Sequence, residues 1–314
     1  MNILITGGSG YKGSILIPEL LKKNHTVYNI DTNWFGNYLP KHKKLFNIKQ
    51  DIRFFKFDIK KKIDVIIHLA SIANDPMAEL DKNLSWEISL LGTKKLVEMA
   101  IQKKVKRFIY ASSGSVYGIK NELRVHENLS LEPISLYNKV KMTTERLLLS
   151  YKNDIELFIV RPATVCGYSP RMRYDVTVNA LTYSALTKGI ISVFGGNQIR
   201  PNIHIQDIVD LYFFLMKTNK KNCGIYNAGF ENLSVIQIAK KVQKVIPAKI
   251  NIIKSKIDPR SYRLDSSKLE NIGFKRSKGV MDAILELKSK HQKNKLKKNP
   301  RFFSVNWLKK LKVS

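Results

Sequence analysis

The sequence predicts an α/β protein built on a doubly wound parallel sheet, and three observations carry that expectation. Short β-branched runs alternate with helical patterns through the first half of the chain, as βαβ units require. The strand candidates are nearly continuous apolar runs, Val65-Ile66-Ile67 among them, which suits a sheet covered on both faces. A glycine-rich turn, Gly7-Gly8-Ser9-Gly10-Tyr11-Lys12-Gly13, directly follows the first of these runs.

In chain order, residues 2–6 read as the first strand and Lys12–Lys23 as its helix. Thr26–Asp31, Arg53–Asp58 and Val65–Ala70 read as the next three strands. A long helix is expected over Asn83–Lys103, a strand over Phe108–Ser113, a helix over Ser135–Tyr151 and a strand over Leu157–Pro162. Beyond residue 165 the pattern loosens. Helices are expected near 176–187, 207–217 and 234–245, with extended runs near 191–194, 203–205 and 250–254. The chain thus divides into a main sheet domain (1–165), a smaller α/β lobe (166–287) expected mainly to bind substrate and to return some segments to the sheet, and a basic tail (288–314). From Glu286 onward lysine dominates, and the packed body is expected to end there.

Composition narrows the possibilities. With 314 residues, 44% hydrophobic and 25% charged, the chain has an ordinary globular make-up. No run of eighteen apolar residues is present, so a membrane-spanning helix is not expected. Residues 2–6 enter the glycine turn without the basic region or cleavage site of a signal peptide. Cys166 and Cys223 suit neither a metal cluster nor a disulfide framework, so no metal is expected and a reducing cytoplasm fits best. The formal charge of +30 is unusual, but 43 of the 55 basic residues are Lys. A solvated lysine surface explains that better than the arginine-led phosphate reading of a nucleic-acid binder, so no nucleic acid is expected as a partner. Residues 288–314 carry ten Lys or Arg and no acid. Ser304 could cap a short helix with Trp307, Leu308 and Leu311 on one face. Such a helix can lie on anionic lipid, pack on the domain or a second subunit, or stay mobile. As one short helix is a weak anchor, membrane contact is not the expected role.

The glycine turn brings Gly7, Gly10 and Gly13 between a strand and a helix. There the chain must turn tightly, its backbone must approach a pyrophosphate, and the helix N-terminus must face that anion. A Rossmann-type dinucleotide site follows, with Tyr11 and Lys12 beside the glycines. Asp31 closes the second strand, where a carboxylate would hold the adenosine ribose hydroxyls and repel a 2′-phosphate, favouring NAD over NADP. Asp58, followed by Ile59, ends the expected third strand and could reach the adenine. Leu69, Ala70 and Pro162, at further strand ends, complete the expected cofactor contacts.

Tyr137 and Lys141 stand four apart on an expected helix and so share one face. A nearby ammonium stabilises a phenolate, which a tyrosine with an ordinary pKa of about 10 needs if it is to act as a base. Ser113 ends the fifth expected strand, where open α/β sheets place ligands, and its hydroxyl could hydrogen-bond a reacting oxygen.

The glycine turn, His68-Leu69-Ala70, Ser113 through Gly118, Tyr137-x-x-x-Lys141 and Arg200-x-x-Ile203-His204-x-x-Asp207 occur in the order of the extended short-chain dehydrogenase/reductase family. The chain resembles that group of nucleotide-sugar epimerases and dehydratases over about residues 1–287. The resemblance implies Tyr137 as acid/base, Lys141 on the nicotinamide ribose, Ser113 on the sugar hydroxyl, and a homodimer. It also implies hydride passing from sugar C4 to NAD and back. The family's 4,6-dehydratases carry an acidic pair after the serine, whereas this chain has Gly114 and Ser115, which disfavours dehydration. Lys12 replaces the usual apolar residue of the turn, Ser89 a customary asparagine, and Thr164 an asparagine that binds phosphate in many epimerases.

The segment from Arg161 to Asp175 is similar to a branch acting on GDP- or dTDP-linked sugars, including an enzyme that oxidises a GDP-heptose at C4. By that resemblance Arg200, with Asn179 beside it, would hold the diphosphate, and Arg260 would contact the nucleotide. Arg171 and Arg173 could bind phosphate or carboxylate bidentately, or form a surface pair. The leading expectation is a nucleotide-sugar C4 epimerase or oxidoreductase of surface-polysaccharide synthesis. Net C4 oxidation or 4-ketosugar reduction is the runner-up. From another class comes a protein that keeps the cofactor fold but uses its basic surface on RNA; an intact Ser113, Tyr137 and Lys141 argue against it.

Overall fold

The computed structural model describes residues 1–254 and 261–311. In chain order its strands are β1 (Asn2–Thr6), β2 (Thr26–Asp31), β3 (Leu45–Lys49), β4 (Val65–His68), β5 (Arg107–Ala111) and β6 (Glu156–Pro162). Six more follow: β7 (Thr164–Cys166), β8 (Ile190–Phe194), β9 (Ile199–His204), β10 (Gly224–Ala228), β11 (Glu231–Ser234) and β12 (Lys249–Ile253). The helices are α1 (Gly13–Lys22), α2 (Asp75–Ala78), α3 (Lys82–Trp86), α4 (Gly92–Gln102), α5 (Leu136–Ser150) and α6 (Thr177–Lys188). They continue with α7 (Ile205–Lys217), α8 (Val235–Val245), α9 (Ser267–Asn271), α10 (Val280–Gln292) and α11 (Ser304–Leu311).

Seven strands form one sheet in the order β10-β6-β5-β4-β1-β2-β3. Every neighbouring pair in it is parallel. Alternate side chains of these apolar strands face opposite helical layers, which is why the strands read as continuous runs. Ile3 and Ile5 pack with Leu16 and Leu20 of α1 and Leu211 of α7. Leu4, Ile66 and Phe108 pack with Leu96 and Val97 of α4 and Leu148 of α5. A three-stranded sheet, β11-β9-β7, and the parallel pair β12-β8 build the smaller lobe. Its own core joins Val178 and Leu181 of α6 to Val193, Ile238, Val242 and Ile284.

Three expectations are corrected. The third strand is Leu45–Lys49, not Arg53–Asp58. Ile52–Phe54 is a 3₁₀ turn, and the apolar alternation that mimics a strand comes from Phe55 and Phe57 plugging into the core. The true strand sits at the sheet edge, where Phe46 is exposed and stacks on Tyr28 at 4.9 Å, so it carries little of the apolar signal. The long helix over 83–103 is interrupted by a π-helical turn at Glu87–Leu91.

The packed body also does not end at Glu286. Helix α10 continues to Gln292, and Leu296, Phe302 and Leu308 beyond it are buried. Phe302 lies between the rings of Tyr38 and Tyr174, at 5.5 and 5.8 Å. The Trp307 indole donates to the Trp34 carbonyl at 2.7 Å. The apolar face of α11 is therefore spent on the domain itself. Phe302→Ala is expected to cost about 3 kcal/mol through the cavity it leaves and to open the lysine-rich tail to trypsin. An unchanged digestion pattern and denaturation midpoint would show that the tail is not anchored by this ring.

Candidate active site

A cleft of about 510 Å³ opens at the C-terminal ends of the central strands. Its cofactor wall is the turn after β1. Gly7 has φ +74°, and a Cβ there would come within 2.6 Å of the Ala70 backbone nitrogen. A Cβ on Gly13 would meet the Gly8 carbonyl oxygen at 2.2 Å. A Cβ on Gly10 would meet only Gly7 oxygen, at 3.1 Å, so its bare backbone is a surface for approach rather than a packing need. Tyr11 locks this turn to the smaller lobe: its hydroxyl donates to the Gly167 carbonyl at 2.6 Å and accepts from Asn179 Nδ2 at 3.0 Å.

Asp31 lines the cleft and accepts from the backbone N–H groups of Ser9 at 3.0 Å and Asn33 at 2.8 Å. Burial raises its carboxyl above the ordinary range, against those two bonds and the charge of Arg171. Lys12 also lines the cleft. Burial, with Arg173 nearby, lowers its ammonium to about 8.

The opposite wall comes from β5 and α5. Ser135 caps α5, so its first turn presents Tyr137 to the cleft and Lys141 one turn deeper. Lys141 Nζ donates to the Ala111 carbonyl at 2.7 Å and lies 6.0 Å from the Tyr137 ring centre. Burial, then the charge of Lys12, lowers the Lys141 pKa to about 7, and Glu145 works against the shift. Ser113 Oγ is 2.7 Å from Ser115 Oγ, whose hydroxyl donates to Asn138 Oδ1 at 2.6 Å. Behind them Glu145, one turn beyond Lys141, accepts from Ser112 and forms a buried ion pair with Arg161 at 2.6 Å. Ser113 and Lys141 thus rest against hydrogen-bonded groups of Ala111, Ser112, Ser115, Glu145 and Arg161, which hold their rotamers in place.

A model of the NAD dependent epimerase/dehydratase family matches residues 3–229. The chain belongs to that family. It is 31% identical over 271 residues to the Bacillus subtilis (strain 168) protein named "Uncharacterized UDP-glucose epimerase YtcB", covering 78% of this chain and 82% of the relative. It is also 31% identical to a putative UDP-glucose 4-epimerase of Methanocaldococcus jannaschii, covering 87% of this chain and 92% of that protein. Among solved structures, the UDP-glucuronic acid 4-epimerase from Bacillus cereus, in complex with UDP-glucuronic acid and NAD, superposes with a TM-score of 0.80. That match has 27% identity and covers 99% of this chain and 100% of the other.

As a member of this family the protein is an NAD-dependent enzyme, and its cleft fits that cofactor. The glycines of the turn leave the N-terminus of α1 open to a pyrophosphate, and Asp31 is held in place by two N–H groups at the end of β2. Among the described residues no helix is long and apolar enough to cross a membrane.

In this epimerase/dehydratase relative several expected site residues lie elsewhere. Asp58 is exposed, and neither it nor Ile59 lines the cleft. Asp51 and Ile52 stand there instead, because the edge strand ends at Lys49. Asn179 is fully buried, and its amide bonds Tyr11, the Gly167 backbone N–H and the Arg173 carbonyl, so it braces the turn rather than facing a diphosphate. Arg171 and Arg173 line the cleft and are not a surface pair. Arg171 is buried against the Phe35 ring at 4.4 Å and donates to Ser304 Oγ at 3.0 Å, near the Asp31 end of the cleft. Arg173 pairs with Asp175 through bonds of 3.0 and 3.2 Å. Leu69, Ala70, Pro162 and Arg200 all line the cleft. Arg260 lies outside the described residues.

Trp34, Phe35, Ser304 and Val305 are cleft residues that sequence reasoning missed. The last two come from the tail, and no local pattern announces a wall supplied from about 270 residues away.

His68, under the glycine turn, has Nδ1 2.5 Å from Thr6 Oγ1 and Nε2 2.7 Å from Thr93 Oγ1. Burial, aided by Lys141, lowers its pKa to about 3. An unfolded histidine titrates near 6.5, so the folded state binds fewer protons below that pH. Its stabilising contribution is complete above about 6.5 and is lost as pH falls, by about 2 kcal/mol at pH 5. Urea midpoints at pH 7 and 5 should therefore differ more for the wild type than for His68→Gln. Equal losses would mean that burial of neutral His68 does not set acid stability.

Proposed function

We propose that this enzyme transiently oxidises C4 of a nucleotide-linked sugar and returns the hydride to the opposite face, as a C4 epimerase. The observation that supports this reading most is the meeting of Ser113, Tyr137 and Lys141 with the glycine turn and Asp31 around one cleft. The relatives named for UDP-glucose epimerisation point to the same class of substrate.

When bound, NAD supplies the hydride acceptor and donor. The chain's own residues move the proton and hold the sugar. Tyr137 takes the proton of the C4 hydroxyl as the hydride leaves and gives it back as the hydride returns. Lys141 carries positive charge beside the forming phenolate, and the anionic groups of cofactor and substrate favour its charged form despite burial. Ser113, its hydroxyl oxygen held in place through Ser115 and Asn138, hydrogen-bonds the same C4 oxygen. Arg200, on the cleft wall, is suited to the substrate diphosphate.

The test is absorbance near 340 nm after adding UDP-glucose, UDP-galactose, GDP-mannose or dTDP-glucose to the purified, NAD-loaded protein. A rise that decays as the C4 epimer accumulates supports the epimerase. A rise that persists until a keto acid is added would replace it with net dehydrogenation, and no rise with any sugar would overturn both.

A further inference from the structure

The absence of acids at positions 114 and 115 removes one route to carbon-acid chemistry, but the cleft holds a carboxylate from another segment. Asp75, at the start of α2, lines the same cleft as Ser113, Ser115, Tyr137 and Lys141. Its Oδ1 accepts from the hydroxyl of Ser135. Ser135 in turn accepts from the Asn138 backbone N–H at 3.2 Å, which directs its proton toward Asp75. Ser135 is the cap of α5, two residues before Tyr137, so one hydrogen bond ties this carboxylate to the turn that carries the acid/base tyrosine. Asn74 fixes the other side: its Oδ1 caps α2 by accepting from Met77 N at 2.9 Å, and its Nδ2 lies 3.4 Å from Asp175. Two caps thus hold Asp75 on the cleft wall that also carries Tyr137.

We infer that Asp75 is a further catalytic residue, a general base for the carbon next to C4 while C4 is a ketone. The inference rests on the transient C4 oxidation proposed above. A ketone acidifies the hydrogens of its neighbouring carbons, C3 and C5. The Asp75 carboxylate removes one of these protons, and the C–H electron pair becomes the double bond of an enolate. The electrons displaced from the carbonyl go to its oxygen, which takes the proton held by Tyr137. Returning both protons restores the ketone, so the step is balanced without any additional oxidant or reductant. The activity added to hydride transfer is proton exchange at C3 or C5, the step from which 3- or 5-epimerisation or loss of a β-substituent begins.

The test uses the full-length, NAD-loaded enzyme in D₂O with the sugar of the panel that raises the 340 nm signal, and NMR follows deuterium at C3 and C5. Wild type is expected to incorporate deuterium at one of these carbons. Asp75→Asn is expected to slow incorporation by about 10²-fold or more, measured relative to the 340 nm rise of the same variant. Asp75→Glu should restore part of the exchange, which a purely structural role would not predict. Exchange at the wild-type rate in Asp75→Asn would leave the residue as a partner of Ser135 alone and overturn the inference. A 340 nm rise with no deuterium in the wild type would do the same while C4 oxidation stands. No 340 nm rise with any sugar would instead take down the underlying reading, and the inference with it.

Discussion

Replacing Tyr137 with Phe is expected to lower turnover by about 10²- to 10⁴-fold, the range spanned by a lost general acid/base. NAD content and denaturation midpoint should remain close to wild type. The substitution removes one oxygen and leaves the ring, which packs against the cluster of Leu4, Ile66 and Phe108. Lys141 keeps its bond to the Ala111 carbonyl, so the wall behind the ring is undisturbed. The measurement is single-turnover absorbance at 340 nm beside the nucleotide released on denaturing the purified variant. Turnover within a few-fold of wild type would assign the proton to another group. Loss of bound NAD together with activity would make Tyr137 a cofactor ligand first.

Gly13→Ala should do the reverse, removing the cofactor before the chemistry. The new methyl would sit 2.2 Å from the Gly8 carbonyl oxygen and 2.5 Å from Gly8 Cα. Both are backbone atoms, so no side chain can swing aside and the turn itself must open. The expected result is loss of detectable NAD binding with a stability cost of about 2 kcal/mol from overpacking. Gly10→Ala, whose Cβ meets only the Gly7 oxygen at 3.1 Å, should fold normally and lose affinity alone. Calorimetric titration with NAD and urea midpoints of both variants separate the two effects. Gly13→Ala with wild-type affinity and midpoint would show that the turn is not the close-packed cradle described.

Much of this was legible because it depends on local pattern. Glycines at 7, 10 and 13 after an apolar strand, and Tyr137 and Lys141 one helical turn apart, are constraints written within a few residues of one another. Asp-Ile shows where such reading fails. The pair occurs twice, at 51–52 and 58–59, and the alternation through Phe55 and Phe57 favours the second. Only the register of β3 against β2, which pairs Asp31 with Lys49, brings the first pair to the cleft. The arginines do line the cleft, but their surroundings were illegible for a related reason. By sequence Arg171 reads as a ligand for phosphate or carboxylate or as half of a surface pair, but Phe35 and Ser304, each distant in sequence, enclose it.

By itself, then, the sequence determined the parallel sheet, the dinucleotide turn and the Ser113, Tyr137 and Lys141 set. Hydrophobic period, backbone steric limits and helical spacing act over a few residues and need no partner from afar. Tertiary structure alone decided which acids reach the cleft, that the basic tail is part of its wall, and that Asn179 braces rather than binds. Those outcomes depend on which distant surfaces can bury one another, and a lysine-rich strand of tail carries no local mark of the aromatic pocket that receives its Phe302.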